Sequence, residues 1–330
     1  MEIELLDPTM DLSEWDQFVG ISPQGSIFCR SWWLRSVCDE QFTIYVARQN
    51  SKIIGGMVLP IQQSFFLKYS LMPRFTQTLG PLFEPLDHLK TKNTITTEVN
   101  ILEALIKHFP NLQYFSHNCS SNFTNWLPFY WAGFNQTNKY SYILKNLDHL
   151  DEIYSGFSKG YRNAVRRATD DGIRAILSND VNEFIRINAL TYARKGLKLP
   201  YSKNFIKDLI SSSFRNKSGS IFFAVDSKGN THAAIFLIHN QRHTINLMQG
   251  FDPAFSSSGA NILLMWNAIQ FANNKSKEFD FEGSMIKGIE IVYRRFGAEL
   301  KPYFNISKMY GLHRFRKIAS QLHLSKIFRS

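Results

Sequence analysis

The sequence predicts an α/β protein with mixed sheets, built as two tandem domains of one pattern. Three observations lead there. Apolar residues make up 44% of the 330 residues and aromatics 14%, which supplies full cores and excludes a disordered chain. Two stretches, 42–62 and 220–240, alternate as strands about polar turn residues and read as hairpins. Both halves run through one order of elements: a helix pair, a hairpin, a strand, a helix and a strand. The duplication is of pattern alone, without a residue-level repeat. Two domains of ordinary size are expected at this length, 1–148 and 149–330, divided near Asn146.

The first half opens on a strand at 1–6, followed by helices at 12–19 and 31–37. Strands 42–48 and 53–62 turn about Gln49-Asn50-Ser51-Lys52, and Pro73, Gly80, Pro81 and Pro85 then mark a loop. An amphipathic helix at 97–109 precedes strands at 114–118 and 140–144. In the second half, 150–170 reads as helix up to Gly172 and 173–177 as a strand. Asp180 caps a helix through Tyr192, with Glu183 completing a capping box. A helix at 205–214 leads to the second hairpin, 220–226 and 233–240, around Ser227-Lys228-Gly229-Asn230. A strand at 243–250, a long apolar helix at 262–272, a strand at 278–282 and a short helix bearing Tyr293 to Phe296 complete the core.

Charge divides unevenly between the halves. Residues 1–150 hold 11 Lys and Arg against 13 Asp and Glu, a net of −2, whereas 151–330 hold 27 against 14, a net of +13. The basic half points to an anionic partner such as a nucleotide, a phosphorylated intermediate, tRNA or a membrane surface. The other reading is a chain rich in Lys throughout. Cys29, Cys38 and Cys119 are odd in number and lack metal-type spacing, so free thiols in a reducing cytoplasm are expected. The acidic N-terminus is not that of a signal peptide, and no apolar run approaches the ~18 residues of a membrane span. The expected location is cytoplasmic, with a peripheral position at the inner membrane face as an option.

Four stretches carry candidate chemistry. In SKGYRNAVRRATDDG, Arg162 and Arg166 stand four apart and share a helix face with Lys159. Arg forks suit phosphate, and the alternative is a solvated basic face. In FSSSGANILLMWNAIQFA, small residues run into a helix N-terminus after a strand, a place for an anion or an ordinary cap. In FDFEGSMIKGIEIVYRRFGAEL, Asp280 and Glu282 lie two apart in an apolar strand, with Arg294 and Arg295 beyond the turn. Glu282 reads either as a salt-bridged strand end or as a carboxylate tuned as a base or holding a substrate ammonium, and Asp280 as structural. Residues 310–330 contain no acid and read as a basic amphipathic helix, which lies on an anionic membrane or docks on its own domain. His232, His239 and His243 read as structural, and no metal site or GxSxG, HExxH or Walker-type motif is present.

These residues resemble the Fem-type (FemAB-like) branch of the GNAT acyltransferase superfamily. Residues 158–172 look like its K-x-x-R-x-x-x-R-x-A-x-x-x-G helix, and 249–272 like its strand, D-P loop and long helix. DFEGSMIKGIEIVYRRFGAEL with Pro302-Tyr303 looks like its D-F-x-G-S…G-I-x-x-x-Y-x-x-F-G signature. The chain departs from the GNAT pyrophosphate loop at 256–261, and Tyr293 stands where Fem enzymes commonly carry Lys. The resemblance implies two GNAT-like domains and an N-acyltransferase acting on an amine of an anionic cell-envelope precursor (polysaccharide, lipid or peptidoglycan). Acyl-CoA is the implied co-substrate, with aminoacyl-tRNA as the alternative donor and a catalytically silent binding protein as a further one. It also implies Glu282, Tyr293 and Arg294 as catalytic residues. Lys159, Arg162, Arg166, Tyr192, Lys195 and Tyr201 would hold the acceptor, and Gln249, Ser258, Gly259, Ala260 and Asn261 the acyl donor.

Overall fold

The computed structural model describes residues 1–64, 66–87 and 90–310. The basic helix expected over 310–330 therefore falls, past Tyr310, outside the described residues. The backbone divides into two units, Met1–Asn138 with the chain from Tyr303 onward, and Lys139–Pro302. The division lies ahead of the 148/149 boundary drawn from sequence, because the strand before that boundary pairs within the second unit.

The first unit begins with β1 (Glu2–Leu6), α1 (Ser13–Ile21), α2 (Ser31–Cys38) and the hairpin of β2 (Phe42–Gln49) and β3 (Lys52–Pro60). Asn50 and Ser51 take positive φ at the turn, as a tight right-twisted hairpin requires. β4 (Gln62–Ser64), β5 (Leu67–Leu71), β6 (Leu82–Phe83), α3 (Thr91–Lys107), β7 (Tyr114–Asn118) and α4 (Leu127–Trp131) follow. One sheet has the order β1-β2-β3-β6. Trp15 of α1 is fully buried against one face, its indole N–H donating to the Cys29 carbonyl at 2.8 Å. Ile101, Leu102 and Leu105 of α3 pack with Tyr45, Met57 and Leu59 on the other.

β8 (Asn135–Leu144) leads into the second unit. The helix expected over 150–170 is two, α5 (Leu150–Gly156) and α6 (Lys159–Asp170), broken at Phe157, whose ring is buried. Then come β9 (Arg174–Ser178), α7 (Val181–Ala193), α8 (Lys203–Arg215), β10 (Gly219–Val225), β11 (Thr231–His239), β12 (His243–Phe251), α9 (Ala260–Asn273), β13 (Glu278–Asp280), α10 (Lys287–Arg294) and β14 (Glu299–Met309). Asp180 caps α7 by accepting the Glu183 N–H at 2.9 Å, while the Glu183 carboxylate turns to Arg186 instead of closing the box.

The sheet order in this unit is β8-β13-β12-β11-β10-β9, antiparallel throughout except between β12 and β13. Ala233, Ile235 and Leu237 of β11 form a core with the apolar side of α9, and Phe236 on the opposite face meets Phe184 of α7. The parallel pair is short. Its rungs are His243↔Glu278, Thr244↔Phe279 and Ile245↔Asp280, yet β12 runs on to Phe251. β12 also carries a bulge against β11, since Asn246 faces Leu237 and Met248 faces Phe236, leaving Leu247 extra. Past Ile245 the two strands part.

Candidate active site

A cleft of about 160 Å³ lies on the α9 face of the sheet, along the part of β12 beyond its last rung with β13. Gln249, Gly250 and Phe251 of β12 line it, with Ala233 and Ile235 of β11, Asn261, Ile262 and Met265 of α9, and Val292 and Phe296 from α10 and its end. Of the expected donor residues, Gln249 and Asn261 meet here. Ser258, Gly259 and Ala260 build the cap of α9 next to Asn261. The Ser258 hydroxyl accepts the Ala260 N–H at 3.2 Å, and Gly259 holds φ +77°. A Cβ at Gly259 would stand 2.6 Å from the Ala164 carbonyl, so only Gly lets α9 start this close to α6.

β13 is shorter than the sequence indicates. It stops at Asp280, and Glu282 leaves the strand with φ +64°, followed by Gly283 at +62°. A Cβ on Gly283 would lie 2.2 Å from the Tyr140 carbonyl, so the turn packs directly on β8. Asp280 is buried and accepts two hydrogen bonds on Oδ1, from the Ser141 hydroxyl and from the Glu282 N–H at 2.7 Å. Glu282 is partly buried, and burial, with the nearby Asp280 charge, pushes its carboxyl up to about 8. Tyr293 is buried against Phe281, ring centroids 5.3 Å apart. Burial and the charges of Glu282 and Asp280 raise its phenol to about 12, so it stays a proton donor throughout the neutral range.

The cations expected to meet Asp280 and Glu282 are placed elsewhere. Arg294 turns outward with 63% of its side chain exposed and pairs with Glu290 at 3.3 Å, the ordinary i,i+4 neighbour on a helix. Glu290 also accepts the Tyr142 hydroxyl. Arg295 lies over the Tyr161 ring at 6.0 Å.

The α6 residues divide as well. Arg162 donates from Nη1 to the carbonyls of Ser155, at 2.7 Å, and Phe157, satisfying the open end of α5. Lys159 and Arg166 are exposed, which leaves them as the expected phosphate-facing pair. Arg167, which sequence reasoning passed over, donates to the Ser257 carbonyl at 2.8 Å and ties α6 to the loop before α9. At the other side of the cleft, Thr191 is a lining residue, and Tyr192 meets Tyr201 with rings 6.2 Å apart. The Tyr201 hydroxyl donates to Asn188, whose Nδ2 donates to the Gln249 carbonyl at 2.8 Å. Lys195 is exposed. The three histidines have structural partners: His232 stacks on Phe255 and faces Asp226, His239 meets Ser220, and His243 faces Glu278.

The cleft beside the N-terminus of α9 is narrow and mostly apolar, a shape that suits an acyl chain. Residues 155–287 match the family model described as Acetyltransferase (GNAT) domain. The match lies within the second unit, Lys139–Pro302. Nearly the whole chain is similar in fold to several solved structures. The crystal structure of FemX aligns at 12% identity over 96% of this chain and all of that one, with TM-score 0.70. A tandem GNAT protein from the clavulanic acid biosynthesis pathway aligns at 11% identity over 93% and 98%, TM-score 0.55. The C-terminal domain of a putative lysylphosphatidylglycerol synthetase from Agrobacterium fabrum aligns at 10% identity over 95% and 97%, TM-score 0.57. No curated protein matches in sequence.

Proposed function

We propose that this protein moves an acyl group from acyl-CoA to an amine on an anionic cell-envelope precursor. The observation that carries the proposal is the narrow, mostly apolar cleft between the unpaired end of β12 and the N-terminal end of α9. An acyl chain suits the apolar walls, and a helix N-terminus favours the phosphates that CoA bears. In this reading the Glu282 carboxylate takes a proton from the acceptor's ammonium. The freed amine attacks the thioester carbonyl, forming the C–N bond and a tetrahedral oxyanion. The Tyr293 hydroxyl hydrogen-bonds that oxyanion or gives its proton to the departing sulfur as the C–S bond breaks, and the extra proton on the attacking nitrogen then returns to the phenolate, or passes to water where the phenol kept its own. Arg294, held by Glu290, serves the outer rim. Lys159 and Arg166 would bind an acceptor phosphate, with Tyr192, Lys195 and Tyr201 on the acceptor side.

The anionic precursor is supported by the net of +13 in residues 151–330 and by the likeness to FemX and to a lysylphosphatidylglycerol synthetase domain. The same likeness supports aminoacyl-tRNA as the alternative donor. Among the described residues no helix is long and apolar enough to cross a membrane. Contact with a membrane surface through the basic residues after Tyr310 remains part of the proposal. The test is thiol release from acetyl-CoA across a panel of amino sugars and amine-bearing precursors, with Glu282→Gln as control. Turnover that needs Glu282 supports the proposal. Turnover unchanged in Glu282→Gln removes the assigned base.

A further inference from the structure

We infer that one end of the first unit is a lipid-contact surface, where outward-facing aromatic side chains enter the headgroup region of an anionic bilayer. The inference deepens the surface contact proposed above and rests on that part of the reading, not on the acyl-transfer chemistry. Four large apolar side chains stand in solvent there. Phe66, in the turn between β4 and β5, is 96% exposed, and Leu127, Tyr130 and Trp131 of α4 are 46%, 60% and 57% exposed. Single exposed apolar residues are ordinary, whereas a group of them marks a contact surface. A ring as exposed as that of Phe66 gains nothing from the fold, and its hydration is unfavourable.

Hydrogen bonds bring the two places together. β4, β5, β7 and the later part of β14 pair in that order. The Gln113 N–H donates to the Lys68 carbonyl at 2.8 Å, and the Gln113 carbonyl accepts the Tyr310 N–H at 2.9 Å. The start of β5, just past Phe66, and the end of β14 thus flank the start of β7. From β14, Lys308 Nζ donates at 2.5 Å to the carbonyl of Ala132, the residue after Trp131. Tyr310 meets Phe134 with rings 6.4 Å apart. Phe66 and the C-terminal end of α4 therefore border the point where the chain passes Tyr310.

Charge at that point selects the partner. Residues 311–330 hold Arg314, Arg316, Lys317, Lys326 and Arg329 and no Asp or Glu. Lys68, two residues from Phe66, is exposed. Cations alongside exposed Trp, Tyr and Phe match an anionic lipid surface, where rings occupy the headgroup boundary and cations meet the phosphates. A second copy of this chain would bring the same positive charge against itself. RNA would meet the cations, but the aliphatic Leu127 offers it no stacking.

The test uses the full chain and vesicles of phosphatidylcholine, with and without phosphatidylglycerol, read by co-sedimentation. Wild type should sediment with the phosphatidylglycerol vesicles. The double variant Phe66→Ser, Trp131→Ser should bind them roughly tenfold more weakly, or weaker still. Both side chains are exposed, so the double variant should melt at the wild-type temperature. Wild type that ignores both kinds of vesicle, or a double variant that binds as tightly as wild type, overturns the inference. A wild-type dimer in light scattering that the double variant turns into monomer would assign the face to a second copy and overturn it as well. Vesicle binding without thiol release from acetyl-CoA would remove the acyl-CoA reading and leave this surface standing. Should the double variant fail to fold, Phe66→Ser alone carries the binding arm with the same outcomes.

Discussion

Asp280 accepts the backbone N–H of Glu282 at 2.7 Å on the oxygen that also receives the Ser141 hydroxyl, and Glu282 sits beyond it at φ +64°. A side chain with a Cβ is strained in that region, and glycine would not be. The chain nevertheless places a carboxylate there, beside a second one. The arrangement makes sense where the carboxylate is used.

Glu282→Gly should therefore raise the stability of the folded protein by ~1 kcal/mol while abolishing transfer. Denaturant melts of wild type and variant, read together with thiol release, test it. A loss of stability would mean that the side chain holds the turn together.

Acyl transfer should depend on a group titrating near pH 8. Glu282 must lose its proton to act as base, and its carboxyl lies at about 8, so kcat/KM should rise with pH through that range. Glu282→Gln should lower kcat by ~10²-fold or more and remove that limb. Stability should run the opposite way. Between the ordinary carboxyl value of 4.5 and about 8, the folded state keeps a proton that the unfolded chain has lost, so this group's contribution fades as pH rises through that window. The pH dependence of Tm for wild type minus Glu282→Gln measures it.

Tyr293→Phe should leave the fold nearly intact, because the ring and its packing on Phe281 and Tyr142 remain. Loss of the hydroxyl should lower kcat ~10-fold to 10³-fold with little change in donor affinity. An unchanged kcat would place the phenol outside the reaction.

Arg162 and Arg166 should separate. Arg162→Ala leaves the Ser155 and Phe157 carbonyls without their donor and should cost ~1–2 kcal/mol in stability. Arg166→Ala should keep stability within ~0.5 kcal/mol and raise the acceptor KM. Urea melts and steady-state kinetics of both variants distinguish the two roles.

Much of the fold was legible because local chemistry agreed with it. The two hairpins were readable from their polar turns, α7 from Asp180, and α9 from a long apolar run. The elements missed are those held by distant partners. β4 and β6 span three and two residues, and β14 pairs with β7 from far along the chain, none of which leaves a periodic signal. The break at Phe157 was invisible because both flanking segments favour helix. Among the candidate residues, alternation placed Glu282 in a strand that the chain leaves after Asp280. Arg162 looked like a phosphate ligand because nothing local announces a helix end seven residues away. Ser141, 139 residues from Asp280, carried no signal at all.

The most direct measurement is a calorimetric titration of the purified protein with acetyl-CoA and with bulk aminoacyl-tRNA, each at two salt concentrations. Saturable binding of acetyl-CoA, reduced in Gly259→Ala, whose Cβ would clash with the Ala164 carbonyl and push the α9 cap off α6, is the expected result. Binding of charged tRNA alone, falling steeply with salt, would contradict it and assign the cleft to aminoacyl transfer.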